Sequence, residues 1–403
     1  MNNKLISKKE NNITINNKLI INNNELKNKN KINKNIRNYG IDLLRIFAMI
    51  NIIVLHINLA SKELNYNYFS PRFQSIWLSE TMAYWGVNGF GIISGIVGYK
   101  KYKFSNLIFI WFQTLFYSTT ISFYNYIKFK TEEKKNSLFL SFFPIFSRSH
   151  WYVSAYFCMY PFLPIINYGI NNINRDSLRN VVIILICFYS IYDMIVTFTI
   201  KKKDYHFLNN GYTPLWLIIL YIIGGYFGKY IIFGSKKNKI LNHIFWLLVY
   251  LCSSFFSYDV FFALLKKKSK IFYEVFIRYI SPTILIEALS LILIFSRLNI
   301  KNYFLKKIIS FFVPLTFNIT LIHLRLLFGK YYLTEKFFEY FRELSPRFLF
   351  FKIYGLAVII YLFCAFIDFF RFLLFKKLKI KEFCLFLEKK FHIYIEIMIN
   401  LCN

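Results

Sequence analysis

The sequence predicts an all-α, polytopic membrane protein with about ten transmembrane helices. Three observations lead there. Apolar runs of about 17–23 residues recur along the chain, each long enough to cross a hydrocarbon core of ~30 Å as a helix. Hydrophobic residues make up 56% of the 403 and mean hydropathy is positive, whereas a soluble α/β protein alternates shorter amphipathic segments. Irregular polar loops, many of them basic, separate the runs.

In chain order, residues 1–38 come first, with 14 Asn and 9 Lys or Arg. Such a segment offers too little apolar surface to offset the entropy of ordering, so a disordered cytoplasmic tail is expected. No apolar h-region precedes a small-residue cleavage site, so the first hydrophobic helix reads as a retained span. The spans are expected at about 41–60, 82–99, 104–126, 151–168, 180–199, 212–231, 241–257, 281–296, 307–328 and 350–373, making 39–375 a single transmembrane domain. Pro161 and Pro164 interrupt the fourth, and the seventh and eighth are short or flanked by charge. Residues 376–403 read as a basic amphipathic tail. With the N-terminus cytoplasmic, Lys and Arg concentrate on the inner side, and an even number of spans puts both termini there. The runs Lys201-Lys202-Lys203 and Lys266-Lys267-Lys268 count against this orientation. The expected location is the plasma (inner) membrane.

The formal net charge is +31. It is spread over nearly every loop instead of one stripe, which argues against a nucleic-acid partner and for the lipid bilayer, whose anionic head groups attract it. The six cysteines form no CxxC pair and mostly lie in apolar runs, so they read as small buried hydrophobes. No metal-ligand spacing, P-loop or dinucleotide fingerprint occurs, and no metal is expected.

Ionisable residues inside an apolar helix are costly and point to a functional site. Arg45 and His56 are such a pair, eleven residues apart on the first span. That is about three turns, which places both near one side of the helix and roughly 16 Å apart along its axis. Asp42, three residues before Arg45, is within side-chain reach on the same face; it is a candidate catalytic or acceptor-orienting residue, or the partner of Arg45 in an interfacial ion pair.

Several local patterns then meet in one order. Gly40-Ile41-Asp42-Leu43-Leu44-Arg45 leads to His56, Trp85-Gly86-Val87-Asn88-Gly89-Phe90 to Ser94-Gly95, and His150-Trp151-Tyr152 through Tyr156 and Tyr160 to Pro164. Gly211-Tyr212-Thr213-Pro214-Leu215-Trp216 and, last, Thr316-Phe317-Asn318-Ile319-Thr320-Leu321-Ile322-His323 complete them. Over about residues 39–375 the chain resembles the acyltransferase-3 family of integral-membrane O-acyltransferases, which modify bacterial surface polysaccharides and other acceptors. The resemblance implies acetyl-CoA as acyl donor, an envelope glycan or its lipid-linked precursor as acceptor, and His56 as general base. Arg45, counted with His56 among the catalytic residues, and the loop Lys100, Lys101 and Lys103 would meet the donor phosphates. That loop departs from many relatives, which carry arginine there; lysine is a point charge without the bidentate fork.

Other residues stay open at this level. His323 can orient the acceptor, polarise the carbonyl, or bond to a neighbouring helix. Ser94 would need a base alongside it to form an acyl-serine, and otherwise serves helix packing. Trp151 can anchor its helix at the interface or stack on a sugar ring. A transporter or flippase, or a polymerase, for lipid-linked polysaccharide is the competing reading. The inverted repeats common in transporters are not visible here.

Overall fold

The first apolar run forms α1, Tyr39–Ser61, a helix of 23 residues. It belongs to a computed structural model of the chain that describes residues 37–61, 64, 70–100, 102–129, 132–146, 150–200, 206–232, 240–266, 274–328, 339 and 343–402. The expected disordered tail therefore lies outside the described residues, apart from Arg37 and Asn38; so do Lys101, Lys201 to Lys203, Lys267 and Lys268. The chain divides into two units, residues 1–39 and a body of Gly40–Asn403. In the first, the Arg37 guanidinium lies over the Tyr39 ring at 5.2 Å. The second carries everything below.

Among the described residues there is no strand, and helix dominates. After α1 come α2 (Pro71–Ala83), α3 (Trp85–Gly98), α4 (Phe104–Phe129), α5 (Glu132–Ser141), α6 (Trp151–Met159) and α7 (Leu163–Asn172). Then follow α8 (Arg175–Ile200), α9 (Pro214–Ile232), α10 (Ile240–Lys266), α11 (Pro282–Ser296), α12 (Tyr303–Phe328), α13 (Leu349–Lys377) and α14 (Ile380–Cys402). Single π turns sit within α8 at Cys187–Tyr192 and at the end of α9 at Phe227–Ile232.

Seven of these helices are long and apolar enough to cross a bilayer: α1, α4, α8, α9, α10, α12 and α13. Among the described residues the expected ten are not all matched by single helices of that length, and the three remaining runs each have a local cause. The run at 82–99 is shared by α2 and α3, which follow one another through Tyr84. The run at 151–168 is cut by a 3₁₀ turn, Tyr160–Phe162, where Pro161 removes a backbone donor and Pro164 restarts the helix. The run at 281–296 forms α11, whose 15 residues span only about 22 Å. Irregular backbone from Glu274 to Ser281 precedes it.

Lipid tails are as apolar as leucine, so helices in a membrane associate through close packing and buried polar bonds. Both devices are present. A Cβ at Gly95 on α3 would overlap the Tyr221 carbonyl of α9, and one at Gly224 on α9 would overlap the Ile92 carbonyl of α3. The two backbones therefore touch, which only glycine permits. Asn88 on α3 donates to the Tyr279 carbonyl at 2.7 Å and accepts from the Trp216 indole at 3.1 Å. At the far end of α13 the buried Arg371 makes two hydrogen bonds to the buried Asp368, at 2.9 and 2.6 Å. Tyr117 of α4 and Asn318 of α12 donate to the same carboxylate. Cys364 and Cys384 are buried as expected, but Cys158, Cys187 and Cys252 are exposed on the outer faces of their helices. Apolar periodicity does not separate core from lipid contact, because both are apolar.

Candidate active site

Three cavities follow α1 from one end to the other. The first, about 470 Å³, is lined by Arg45, Ser94, Lys103, Tyr156, Tyr160 and Lys381 among others. The second, a slot of about 140 Å³, is mostly apolar and is walled by Met49, Ile52, Phe90, Tyr152 and Phe317, with His56 at its end. The third, about 670 Å³, shares His56, Leu55, Trp151 and Tyr279 with the slot. The order along α1 is thus Arg45, then Met49 and Ile52, then Leu55 and His56. On α3 and α6 it runs in reverse: Ser94 and Tyr156 line the first cavity, and Phe90 and Tyr152, each four residues earlier, line the second. Residues four apart on a helix are stacked on one face, so three helices carry the row together.

The first cavity is the basic one. Arg45 keeps a 3.3 Å contact to Asp42 one turn earlier, and the pair is mostly buried. Lys103 also lines it, its carbonyl accepting the Tyr160 hydroxyl at 2.5 Å. Lys100 instead lays its ammonium over the neighbouring Tyr99 ring, 5.3 Å from the centroid, and does not line the cavity. Lys101 lies outside the described residues. Ser94 donates to the Phe90 carbonyl at 2.9 Å on its own helix.

At the other end of the slot, α12 brings His323 to His56. His56 Nδ1 and His323 Nε2 are 2.7 Å apart, and His323 Nδ1 is 2.7 Å from the Ile319 carbonyl oxygen. A carbonyl can only accept, so His323 Nδ1 carries a proton and donates it there. With both rings neutral, His323 Nε2 then holds a lone pair and accepts from His56 Nδ1–H. The lone pair of His56 is consequently on Nε2. A backbone carbonyl thus sets two tautomers in series, leaving His56 in a form that accepts a proton at a defined atom.

The third cavity is lined by aromatic rings and ionisable side chains. Trp151, Tyr212, Tyr279 and Tyr84 cluster, with ring centroids 4.6 Å apart for Trp151 and Tyr212 and 5.0 Å for Tyr84 and Tyr279. Glu80, Glu274 and Arg278 add polar groups. Glu80 is positioned from α1: Asn58, two residues after His56, donates to its Oε2 at 2.9 Å and contacts Ser79 at the same distance.

Comparison with known proteins matches residues 38–373 to the model of the Acyl_transf_3 acyltransferase domain. The chain belongs to the acyltransferase-3 family. No curated protein matches it, and no solved structure does. The protein is therefore a multi-pass membrane acyltransferase by family, and the match ends four residues before α13 does, leaving α14 outside.

Within this acyltransferase domain the structure brings together His56, His323 and Trp151, and separately Arg45, Asp42, Ser94 and Lys103. Ser94 and His56 line different cavities. Glu80, Asn58, Tyr279 and Lys381 were not singled out by sequence. Glu80 sits before the second apolar run and Tyr279 in an irregular stretch, so neither carries a periodic signal; Lys381 is one lysine among many in a tail.

Proposed function

We propose that this protein moves an acyl group, an acetyl group in the first instance, from acyl-CoA to a hydroxyl of a cell-envelope glycan or its lipid-linked precursor. His56 acts as the base. The observation that carries the reading is the position of His56 on both a small apolar slot and a larger aromatic, carboxylate-bearing cavity, with a basic cavity lined by Arg45, one turn of α1 before Met49 of the slot.

Each part suits one piece of the chemistry. The anionic nucleotide end of the donor is matched by Arg45 and Lys103. The pantetheine arm is thin and extended and fits the slot, bringing the thioester to His56. The acceptor sugar stacks on Trp151 and hydrogen-bonds to Glu80 in the wide cavity. His56 Nε2 takes the hydroxyl proton as the oxygen attacks the thioester carbonyl. The C–S bond then breaks, the same proton passes to the departing sulfur, and the products are an ester and the free thiol. His323 holds His56 in the tautomer this requires. Since acyl-CoA is made in the cytosol, the Arg45 end faces the cytoplasm of the plasma membrane, both termini are cytoplasmic, and the acceptor enters from the opposite face.

Purified protein in detergent, given labelled acetyl-CoA and an envelope glycan extract, is expected to transfer the label. His56→Ala should lower the rate by about 10²–10⁴-fold. Transfer that survives His56→Ala in folded protein overturns the assignment. Uptake of a lipid-linked sugar into vesicles without consumption of CoA would support a transporter instead.

A further inference from the structure

The basic cavity is not built by the acyltransferase domain alone. Lys381 and Leu385 line it, and both come from α14, beyond the family match at residue 373. Helix α14 is amphipathic: Phe383, Phe386 and Phe391 stand among Lys381, Lys389 and Lys390. Its place against the body is set by specific contacts. The Glu388 carboxylate accepts the Phe104 backbone N–H at 2.6 Å, satisfying one of the donors left over at the start of α4. Phe391 stacks on Phe104 with centroids 5.2 Å apart and planes at 25°, and Phe383 meets Phe112 edge-on at 6.0 Å. One turn of α14 thus separates Lys381 from Leu385 on the cavity wall, and a further turn holds the Glu388 cap.

Lys381 is a third cation at a cavity that already presents Arg45 and Lys103. The three come from α1, the segment before α4, and α14, three stretches far apart in the chain that line one cavity. A multiply anionic ligand is what one guanidinium and two ammonium groups on a single cavity suit. Resting on the donor reading above, we propose that α14 is the outer wall of the donor site and that Lys381 binds phosphate groups of acyl-CoA.

The test uses the full-length protein in detergent and two donors, acetyl-CoA and acetyl-pantetheine, which carries the thioester without the nucleotide. Lys381→Gln should raise KM for acetyl-CoA about threefold to tenfold, leave kcat near its original value, and leave KM for acetyl-pantetheine unchanged; Lys381→Arg should restore most of the loss. Glu388→Gln, which weakens the cap on α4, should reproduce the selective KM effect and speed amide exchange in 380–394. Unchanged KM for acetyl-CoA in Lys381→Gln, with a raised KM in Arg45→Gln, overturns the role of α14 and leaves the donor reading standing. Equal losses with both donors also overturn it, since the helix would then act on folding alone. If the original protein neither binds nor consumes acetyl-CoA, the donor reading fails and the inference falls with it.

Discussion

His56 and His323 lie 267 residues apart and meet at 2.7 Å, so the reactivity of one depends on a side chain that never has to touch substrate. His323→Gln removes the acceptor whose tautomer the Ile319 carbonyl fixes, because an amide can turn either its oxygen or its nitrogen toward His56. A fall in kcat of about tenfold to a hundredfold, with donor KM little changed, is expected. Histidine ¹⁵N spectra should show His56 losing its single Nδ1–H tautomer; an unaltered spectrum alongside the rate loss would refute the positioning role. Ser94 makes the opposite case. Its hydroxyl donates to the Phe90 carbonyl and Ser94 lines the Arg45 cavity, whereas His56 lines the other two. Ser94→Ala should keep activity within about threefold, and a trapped acyl-serine would contradict that. Trp151, shared by the slot and the wide cavity, should respond mainly through the acceptor: Trp151→Ala is expected to raise acceptor KM about tenfold and donor KM by less.

Between elements, two kinds of contact hold the frame on which those residues sit. The α3–α9 crossing is steric. Because a Cβ at Gly95 would overlap the Tyr221 carbonyl, Gly95→Ala should cost about 1–3 kcal/mol or prevent assembly, read as a lower thermal midpoint in detergent. A surface-like effect of a few tenths would show the backbones are farther apart. The Asp368–Arg371 pair is electrostatic and almost wholly buried. Replacing Arg371 by Leu strands a carboxylate and should destabilise by about 3–5 kcal/mol, while Asp368→Leu together with Arg371→Leu should recover much of that. Failure of the double variant to recover would mean that Tyr117 and Asn318, which donate to the same carboxylate, need it in place.

Across the whole molecule, the row of cavities predicts sidedness. In sealed proteoliposomes of known orientation, acetyl-CoA supplied at the Arg45 end should acylate a glycan supplied at the other, and reversing the two should abolish transfer. Salt should raise donor KM, because surface cations at an open mouth are screened over about 8–10 Å, and should leave acceptor KM nearly constant. Among the described residues, helices of membrane length and shorter ones, α3 and α6 among them, build this row together. The breaks at Tyr84 and at Tyr160–Phe162 fall in α2–α3 and α6–α7, helices that line it.

The apolar runs, Arg45 and His56 on one stripe, and the ordered motifs around Ser94, Trp151 and His323 were legible in the chain, because helix period and hydropathy are local properties of neighbouring residues. They determined an all-helical membrane protein and its family. Folding decided the remainder. Which proton sits on which ring nitrogen, that Ser94 and His56 line different cavities, that Asn58 holds Glu80, and that Lys381 returns to the basic cavity all depend on distances between segments far apart in sequence. Such distances follow from backbone packing at positions such as Gly95, and no local pattern encodes them.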